Sequence, residues 1–511
     1  MIRTFVRTLG IGLVYLVASG HVGSPNTWFE GNAGPYPVTV EVQTAGVVPG
    51  IAKVFVRVTG EALTGVTVQA NKFDASGAAP PAESAQPVAG DPGLFSGKLW
   101  MMSGGSNSVT VSVNGKKGHG KVVVPVVVVA YSRLGLAAPM GIGLAAMGLF
   151  LFAGLVTIVG AAVREGSLPP GEVPTDRTRK RARIAMVLTS VILVTLLASG
   201  WRWWNSEDTA YERNMYKPLS SKAEVVERNG AKLLQVSITD SAWVHRGDTA
   251  WLARNGRNQW TPLVEDHGKL MHLFVISEDG SSFAHLHPSS RDSVVFPSNL
   301  PSLPPGRYRV FADIVHESGF THTLVSPLVL SAIVPQLVPE KADPDDSWLI
   351  DAKRNDGTRA TLADGTTIDW LKPSELVAGR PSPLRFAVRN RDGSPGVLEP
   401  YMGMAGHAVV QREDGSVFVH LHPMGTISMA SQMAFALRQP GDTIRGRLGK
   451  RVSDAEASAM SHASVPASSV SFPYSFPKEG PYRIWVQVKR DGKVLTAAFD
   501  AKVAKEREPR S

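Results

Sequence analysis

The sequence predicts a mainly β protein: three immunoglobulin-like β-sandwich domains, plus two or three transmembrane helices. Three observations lead there. Forty-nine Gly and 36 Pro punctuate short Val-rich runs in which apolar and polar residues alternate, the period of half-buried strands. Two long runs in the first half of the chain carry no formal charge. In the second half one strand-like stretch occurs twice: Met271–Pro288, MHLFVISEDGSSFAHLHP, returns as Gly406–Pro423, GHAVVQREDGSVFVHLHP.

At the N-terminus Arg3 and Arg7 precede the apolar run Leu9–Ala18, so residues 1–20 read as a signal peptide or a signal anchor. Residues 21–133 then read as an exported sandwich, with strands at Pro37–Thr44, Lys53–Thr59, Val66–Lys72, Leu94–Met101, Ser108–Val113 and Lys121–Val129. Pro125 lacks an N–H and places the last strand at an edge. His119 sits in a Gly-rich turn and is assigned no chemistry.

Between Arg133 and Arg164 no residue is charged, and residues 136–163 are long enough to cross a hydrocarbon layer of about 30 Å. A second span, residues 184–204, ends in Trp201-Arg202-Trp203-Trp204, an aromatic cluster suited to a membrane interface. The loop between them, 164–183, holds six basic and three acidic residues. The positive-inside rule makes this loop cytoplasmic and puts the flanking domains outside. That also accounts for the run Arg177–Arg183 without nucleic acid, since no basic stripe with interleaved aromatics exists despite the net charge of +9.

Residues 205–222 read as a linker and 223–335 as a second exported sandwich, with strands at Leu233–Thr239, Thr249–Ala253, the first repeat hairpin, Gly306–Val315 and Phe320–Leu330. Residues 336–357 form another linker. Residues 358–503 repeat the second sandwich: Phe472-Pro473 answers Phe296-Pro297, and Gly480-Pro-Tyr-Arg-Ile-Trp answers Gly306-Arg-Tyr-Arg-Val-Phe. The Ser/Ala-rich insertion 442–469 is expected to be a long mobile loop, and 504–511 a tail.

Each repeat centres on Asp-Gly, which favours a two-residue hairpin turn with positive φ at both positions. Counting outward from Asp279-Gly280 pairs Phe274 with His285 and His272 with His287. Around Asp414-Gly415 the same count pairs Val409 with His420 and His407 with His422. Side chains alternate along a strand, so each histidine triplet shares one face.

There is no cysteine, which excludes disulfides, thiolate sites and iron–sulfur clusters. Eleven of the 13 histidines lie after the second span. Imidazole suits Cu, Zn, Ni and Fe, so His272, His285, His287 and His407, His420, His422 are candidate metal ligands. Met404 and Met424 join them, because thioether with imidazole is the donor set of copper handling outside the cytoplasm. Copper therefore stands ahead of zinc. No phosphate loop, nucleophile elbow, HExxH or paired carboxylates point to an enzyme. The arginine of each Tyr-Arg pair reads as the solvent-facing residue of an alternating strand.

The hairpins and their Gly-x-Tyr-Arg strands resemble the exported YtkA-like and FixH-like β-sandwich domains of bacteria. The layout also resembles uncharacterised bacterial membrane proteins carrying HLHP repeats. That resemblance implies copper delivery or assembly of respiratory oxidases. The reading reached is a copper chaperone or accessory protein anchored in the cell membrane, with its large domains on the periplasmic side. Its partners would be the membrane and a protein of the cell envelope. The alternative is a non-enzymatic scaffold whose histidines pack rather than bind; a third reading is a pH sensor built on clustered histidines.

Overall fold

The computed structural model describes residues 26–60, 63–73, 79–169, 171–228, 231–255, 260–333, 343–439, 442, 446–462 and 468–506. The signal segment lies outside them. The chain divides into two compact units, one of 130–217 and one that joins the preceding residues to those from Pro218 onward. The architecture is mainly β, with two long apolar helices.

The N-terminal strands are β1 (Asn26–Ala33), β2 (Tyr36–Gln43), β3 (Gly50–Val58), β4 (Leu63–Lys72), β5 (Glu83–Pro87), β6 (Leu94–Met101), β7 (Gly105–Gly115) and β8 (Gly118–Val128). Their order is β1-β2-β3-β6-β5-β4-β7-β8. Short β5 joins the two halves of the sheet, which enclose Val40, Val54, Val68, Val111 and Val124. Strand β8 ends the order, so Pro125 does sit on an edge strand.

In the second unit, helix α1 (Ala138–Glu165) and helix α2 (Asp176–Asn214) cover both predicted spans. Their apolar windows are 6% and 0% buried, unlike a core helix, and both are long and apolar enough to cross a membrane. Gly160 lets the helices approach closely, since a Cβ there would lie 2.6 Å from Met186 Sδ. Helix α2 is longer than the span expected. Thr175 caps it by accepting from Thr178 N–H, Asp176 favours its N-terminus, and the basic run forms its first turns rather than a loop. Its last turns, through Asn214, replace the first half of the expected linker. Arg133 pairs there with Asp208 and Glu212.

The middle domain contains β9 (Ser221–Arg228), β10 (Ala231–Ile238), α3 (Ser241–Val244), α4 (Thr249–Asn255), β11 (Leu263–Val264), β12 (His272–Ser277), β13 (Phe283–Leu286), β14 (Val295–Asn299), β15 (Gly306–His316), β16 (Thr321–Leu330) and β17 (Ser347–Leu349). A sheet β14-β10-β9 packs on a sheet β11-β15-β12-β13-β17, to which β16 adds alongside β15. Two expectations fail here. Residues 249–253 are helical because Asp248 Oδ1 caps the N–H groups of Ala250 and Trp251. Part of the expected linker 336–357 is β17, paired with β13 so that His285 faces Ser347.

The last domain repeats this plan with β18 (Arg359–Thr361), β19 (Thr367–Trp370), β20 (Leu384–Arg389), β21 (His407–Arg412), β22 (Phe418–Leu421), α5 (Met429–Leu437), α6 (Arg447–Ser461), β23 (Ser469–Phe472), β24 (Gly480–Arg490) and β25 (Lys493–Val503). Its sheets run β18-β19-β20-β23 and β22-β21-β24-β25. The insertion is not simply a loop, since α6 occupies its middle. Leu448, Val452 and Glu456, four apart, form the buried stripe of α6, and Ala-rich sequence favours helix. Together α5 and α6 close an apolar cluster with Phe73, Val264 and Val315 from the other two domains.

The turn after the second HLHP docks on β1: Glu30 N–H donates to Met424 C=O at 2.8 Å and Thr426 N–H to Trp28 C=O at 3.1 Å. Gly425 has φ +124°, and a Cβ there would stand 2.1 Å from the Trp28 carbonyl oxygen. Gly425→Ala is expected to destabilise the first unit by about 2 kcal/mol or more, from backbone strain and displacement of that contact. An unchanged unfolding midpoint in urea would exclude this docking.

Candidate metal centre

The two histidine hairpins face each other, and alternation explains how. In β12, Leu273 and Val275 enter the core of their own domain, while Phe274 and Ile276 join a cluster shared by the two repeats. In β21, Ala408 and Val410 turn inward and Val409 joins that shared cluster. There Phe311 stacks on Phe418 (centroids 3.9 Å apart, planes at 6°) and Phe283 on Trp485 (5.1 Å, 16°). The histidines lie on these same faces, between the two sheets.

The predicted register holds, with Phe274 opposite His285 and Val409 opposite His420. The turns differ from expectation. Only Gly280 (φ +71°) and Gly415 (φ +74°) have positive φ, not the aspartates before them. Ser277 and Ser282 close a four-residue loop, and Asp279 Oδ1 accepts from Ser281 N–H at 3.0 Å. The Tyr-Arg arginines are also not simply solvent-facing. A Cβ at Gly280 would meet Arg483, and one at Gly415 would meet Arg309, so each repeat lays its arginine over the other's turn. Arg483 is 4% exposed and hydrogen-bonds Asp500 and the Ala352 and Lys353 carbonyls.

All six predicted histidines come together in one buried chamber. In the first triplet the ring centroids of His272–His285, His272–His287 and His285–His287 are 5.4, 5.2 and 4.5 Å apart. The corresponding distances in the second triplet, 5.3, 5.2 and 4.5 Å, reproduce this arrangement. His272 and His420 link the triplets at 5.2 Å. A seventh member, His267, lies 5.1 Å from His422 and 5.8 Å from His407. It occupies a tight Asp266–Lys269 turn with φ 56°. Its signal in the sequence is a spacing: Asp266-His-Gly leads the first repeat by the same interval as Tyr401-Met-Gly leads the second.

Hydrogen bonds orient the first triplet in one sense. His272 Nε2–H donates to the Asp266 carbonyl (3.2 Å). His285 Nδ1–H donates to Gln487 Oε1 (2.9 Å), an amide held by its own donation to Ser347 Oγ. His287 Nδ1–H donates to the Asp346 carboxylate (2.9 Å). A neutral imidazole has one N–H, so with all three outward the lone pairs of His272 Nδ1, His285 Nε2 and His287 Nε2 point inward. His272 Nδ1 and His285 Nε2 stand 3.2 Å apart, and two ligands on a tetrahedral metal at about 2.0–2.1 Å stand about 3.3 Å apart. One nitrogen from each of these three rings lies within 4.8 Å of the others, as is so for His267, His407 and His422.

The second triplet is held by its counterparts. His422 Nδ1–H donates to the Ile427 carbonyl (3.0 Å), and His420 Nδ1 is 3.5 Å from Asp313 Oδ2. Asp313 stands opposite His272 as Gln487 stands opposite His407, so each repeat supplies the group that orients a histidine of the other. Both ring nitrogens of His267 and His407 are buried without a hydrogen-bond partner, as are Nε2 of His287, His420 and His422. Buried polar atoms are normally satisfied, and an ion held among these rings would satisfy them.

Of the two methionines predicted as ligands, Met424 packs against the N-terminal core. Met404 is buried in the Tyr401–Met404 turn, at the position that Lys269 holds in the first repeat. Lys269 there pairs with Asp343 (2.7 Å) and Asp345 (3.2 Å). His287, 9% exposed, is the most open member of the chamber and adjoins Asp343 and Asp346 at its acidic edge. Two further histidines form a separate pair, His316 Nε2 to His322 Nδ1 at 2.9 Å beside Trp260.

Burial disfavours the charged form of His267, His272, His285, His316, His407, His420 and His422. It pushes His267 down to about 3 and His422 and His316 to about 4, and holds His272, His285, His407 and His420 well below the usual value. The same burial raises Asp313 to about 7 and Glu456, which accepts from His267 N–H, to about 9. The unfolded histidines take up protons near pH 6.5, whereas folded His267 does not until about pH 3 and His316 and His422 not until about pH 4. Each therefore contributes metal-free stability that is present above about 6.5 and lost as the pH drops through that window. Asp313 and Glu456, raised on folding, act in the opposite direction as the pH falls, and the lowered histidines outnumber them. The slope is about 1.4 kcal/mol per pH unit for each such histidine. A metal-free melting temperature that is flat between pH 7 and 4.5 would contradict these depressed values.

Fold and site together describe a chain with two apolar helices and paired β-sandwich repeats that enclose a histidine chamber. Residues 235–328 and 360–505, the two repeats, match the family described as Domain of unknown function (DUF8832). No curated protein matches the sequence. Among solved structures, similarity is found to an engineered protein at 19% identity, covering 17% of this chain and 19% of that one, with a TM-score of 0.14. Salmonella alpha-2-macroglobulin reacted with methylamine is 9% identical over 96% of this chain and 24% of that one, with a TM-score of 0.18. A putative membrane anchored protein from Corynebacterium diphtheriae is 7% identical over 95% of this chain and 97% of that one, at 0.14. The chain thus spans under a quarter of the first two, and scores this low constrain neither fold nor activity.

Proposed function

We propose that this protein is a membrane-anchored metal-binding protein of the cell envelope that holds transition-metal ions, copper foremost, in the chamber between its two repeats. The observation that carries the reading is the first triplet, in which all three far nitrogens are held by oxygen acceptors and all three lone pairs converge. Outer hydrogen bonds of this kind, carboxylate or carbonyl to the far nitrogen, are what orient metal-binding imidazoles. Neutral rings need no deprotonation before they bind. Imidazole suits both copper and zinc, and the affinity order of the divalent metals places Cu(II) above Zn(II). The basic run at the start of α2 supports a cytoplasmic position for that end, with the β domains on the extracytoplasmic side. In this reading the site serves copper delivery or accessory work on an envelope partner rather than catalysis.

The scaffold reading has its own support, because the histidine faces also carry the apolar contacts that join the repeats, with Phe274 stacked on His285 at 4.2 Å. One experiment separates them. The full chain is purified in detergent, its metal content measured, and Cu(I), Cu(II) and Zn(II) titrated, alongside a variant with both HLHP motifs changed to ALAP. Tight copper binding lost in the variant supports the metal reading. Absence of stoichiometric binding at micromolar metal leaves the scaffold.

A further inference from the structure

We propose that the chamber holds two ions in unlike sites: one on His267, His407 and His422, the other on His272, His285 and His287 with the Met402 thioether. This inference rests on the metal reading above and specifies its ligands.

Two separate sets of three histidines each bring one nitrogen apiece within 4.8 Å of the others, and the sets share no residue. A tetrahedral ion with bonds of about 2.0–2.1 Å places its imidazole centroids about 5 Å apart. The first set has 4.5–5.4 Å. The second has 5.1, 5.2 and 5.8 Å. Each set can therefore close on its own ion.

The second set borrows His267 from the opposite repeat, and the pseudo-symmetry of the repeats asks what makes the reciprocal loan. His267 is five residues ahead of His272 and Met402 five ahead of His407. Both have unusual positive φ, 56° and 50°, both precede a glycine of positive φ, and both lie in turns closed by a bridge, Asp266 to Lys269 and Tyr401 to Met404. Met402 is 6% exposed. A buried non-glycine residue in the left-handed region is strained, and two at equivalent positions mark a built feature. Met402 is thus the counterpart of His267, offered to the first set.

The surroundings differ in the same direction. Beside His267 stands the Asp266 carboxylate, Oδ1 3.7 Å from Nε2. At the equivalent position Tyr401 brings a neutral phenol, 3.3 Å from His285 Nδ1. A thioether beside three imidazoles suits Cu(I), so the two sites differ in donor set.

The full chain in detergent is loaded anaerobically with Cu(I), its copper counted per chain, and its ligands read by X-ray absorption at the copper edge. Two ions and a sulfur shell are expected. Met402→Leu should remove the sulfur shell and weaken one equivalent at least tenfold, Met402→His should remove the shell and keep two ions, and His267→Leu should keep the shell and weaken the other equivalent. One ion per chain, or a sulfur shell that is absent or survives both Met402 changes, overturns this inference and leaves the metal reading standing. No bound copper overturns both. Melting curves of each variant identify any that fail to fold, in which case Met402→His decides.

Discussion

Alanine at His287 and His422 together is expected to lower the copper affinity of the full chain at least a hundredfold. Each contributes a buried Nε2 without a partner, and each is held by its Nδ1–H, one on Asp346 at 2.9 Å and the other on the Ile427 carbonyl at 3.0 Å. The double variant leaves each set of three a ligand short. Asparagine at Asp346 alone keeps every ligand but weakens the acceptor that orients His287, for which the expected loss is about ten- to a hundredfold. Competition with a chromophoric chelator measures both. A double variant that competes as well as the parent would place the ion elsewhere.

The second large effect concerns the joint between the repeats. Phe418→Ala removes a fully buried ring stacked on Phe311 at 3.9 Å and is expected to cost about 3–5 kcal/mol. Because the chamber is lined from both repeats, the same change should release copper and open residues 343–357 to protease. Phe386→Ala, in the core of the last domain alone, should cost as much in urea unfolding while keeping copper below its melting range. If both variants keep copper equally, the chamber does not depend on the joint.

Much of this arrangement is legible in the residues. Strand alternation located most strands of all three β domains, and counting outward from Asp-Gly gave the correct register even though the turn itself is a four-residue loop. The count survives because register depends on the loop's length and symmetry, whereas the φ values also depend on side chains such as Asp279 bonding back to the chain. Other elements were hidden where a local contact overrides composition: Asp248 turns a strand-like run into α4, and a stripe four residues apart makes α6 out of a Ser/Ala-rich insertion. Short β17 has too few residues for any period to be visible.

The sequence by itself determined that each hairpin carries three histidines on one face, that the two hairpins are copies, and that two apolar helices separate them from the first sandwich. Those are consequences of local spacing: period two along a strand and a length of uncharged residues. Only the tertiary structure decided that the two faces meet in one chamber. It also decided that Gln487 and Asp313 cross between repeats to reach His285 and His420, and that His267 stands beside His407 and His422. Such pairings join residues far apart in the chain, and they are set by which apolar faces bury each other, here Phe274 and Phe311 against Phe418 and Trp485. No single-strand period encodes that choice.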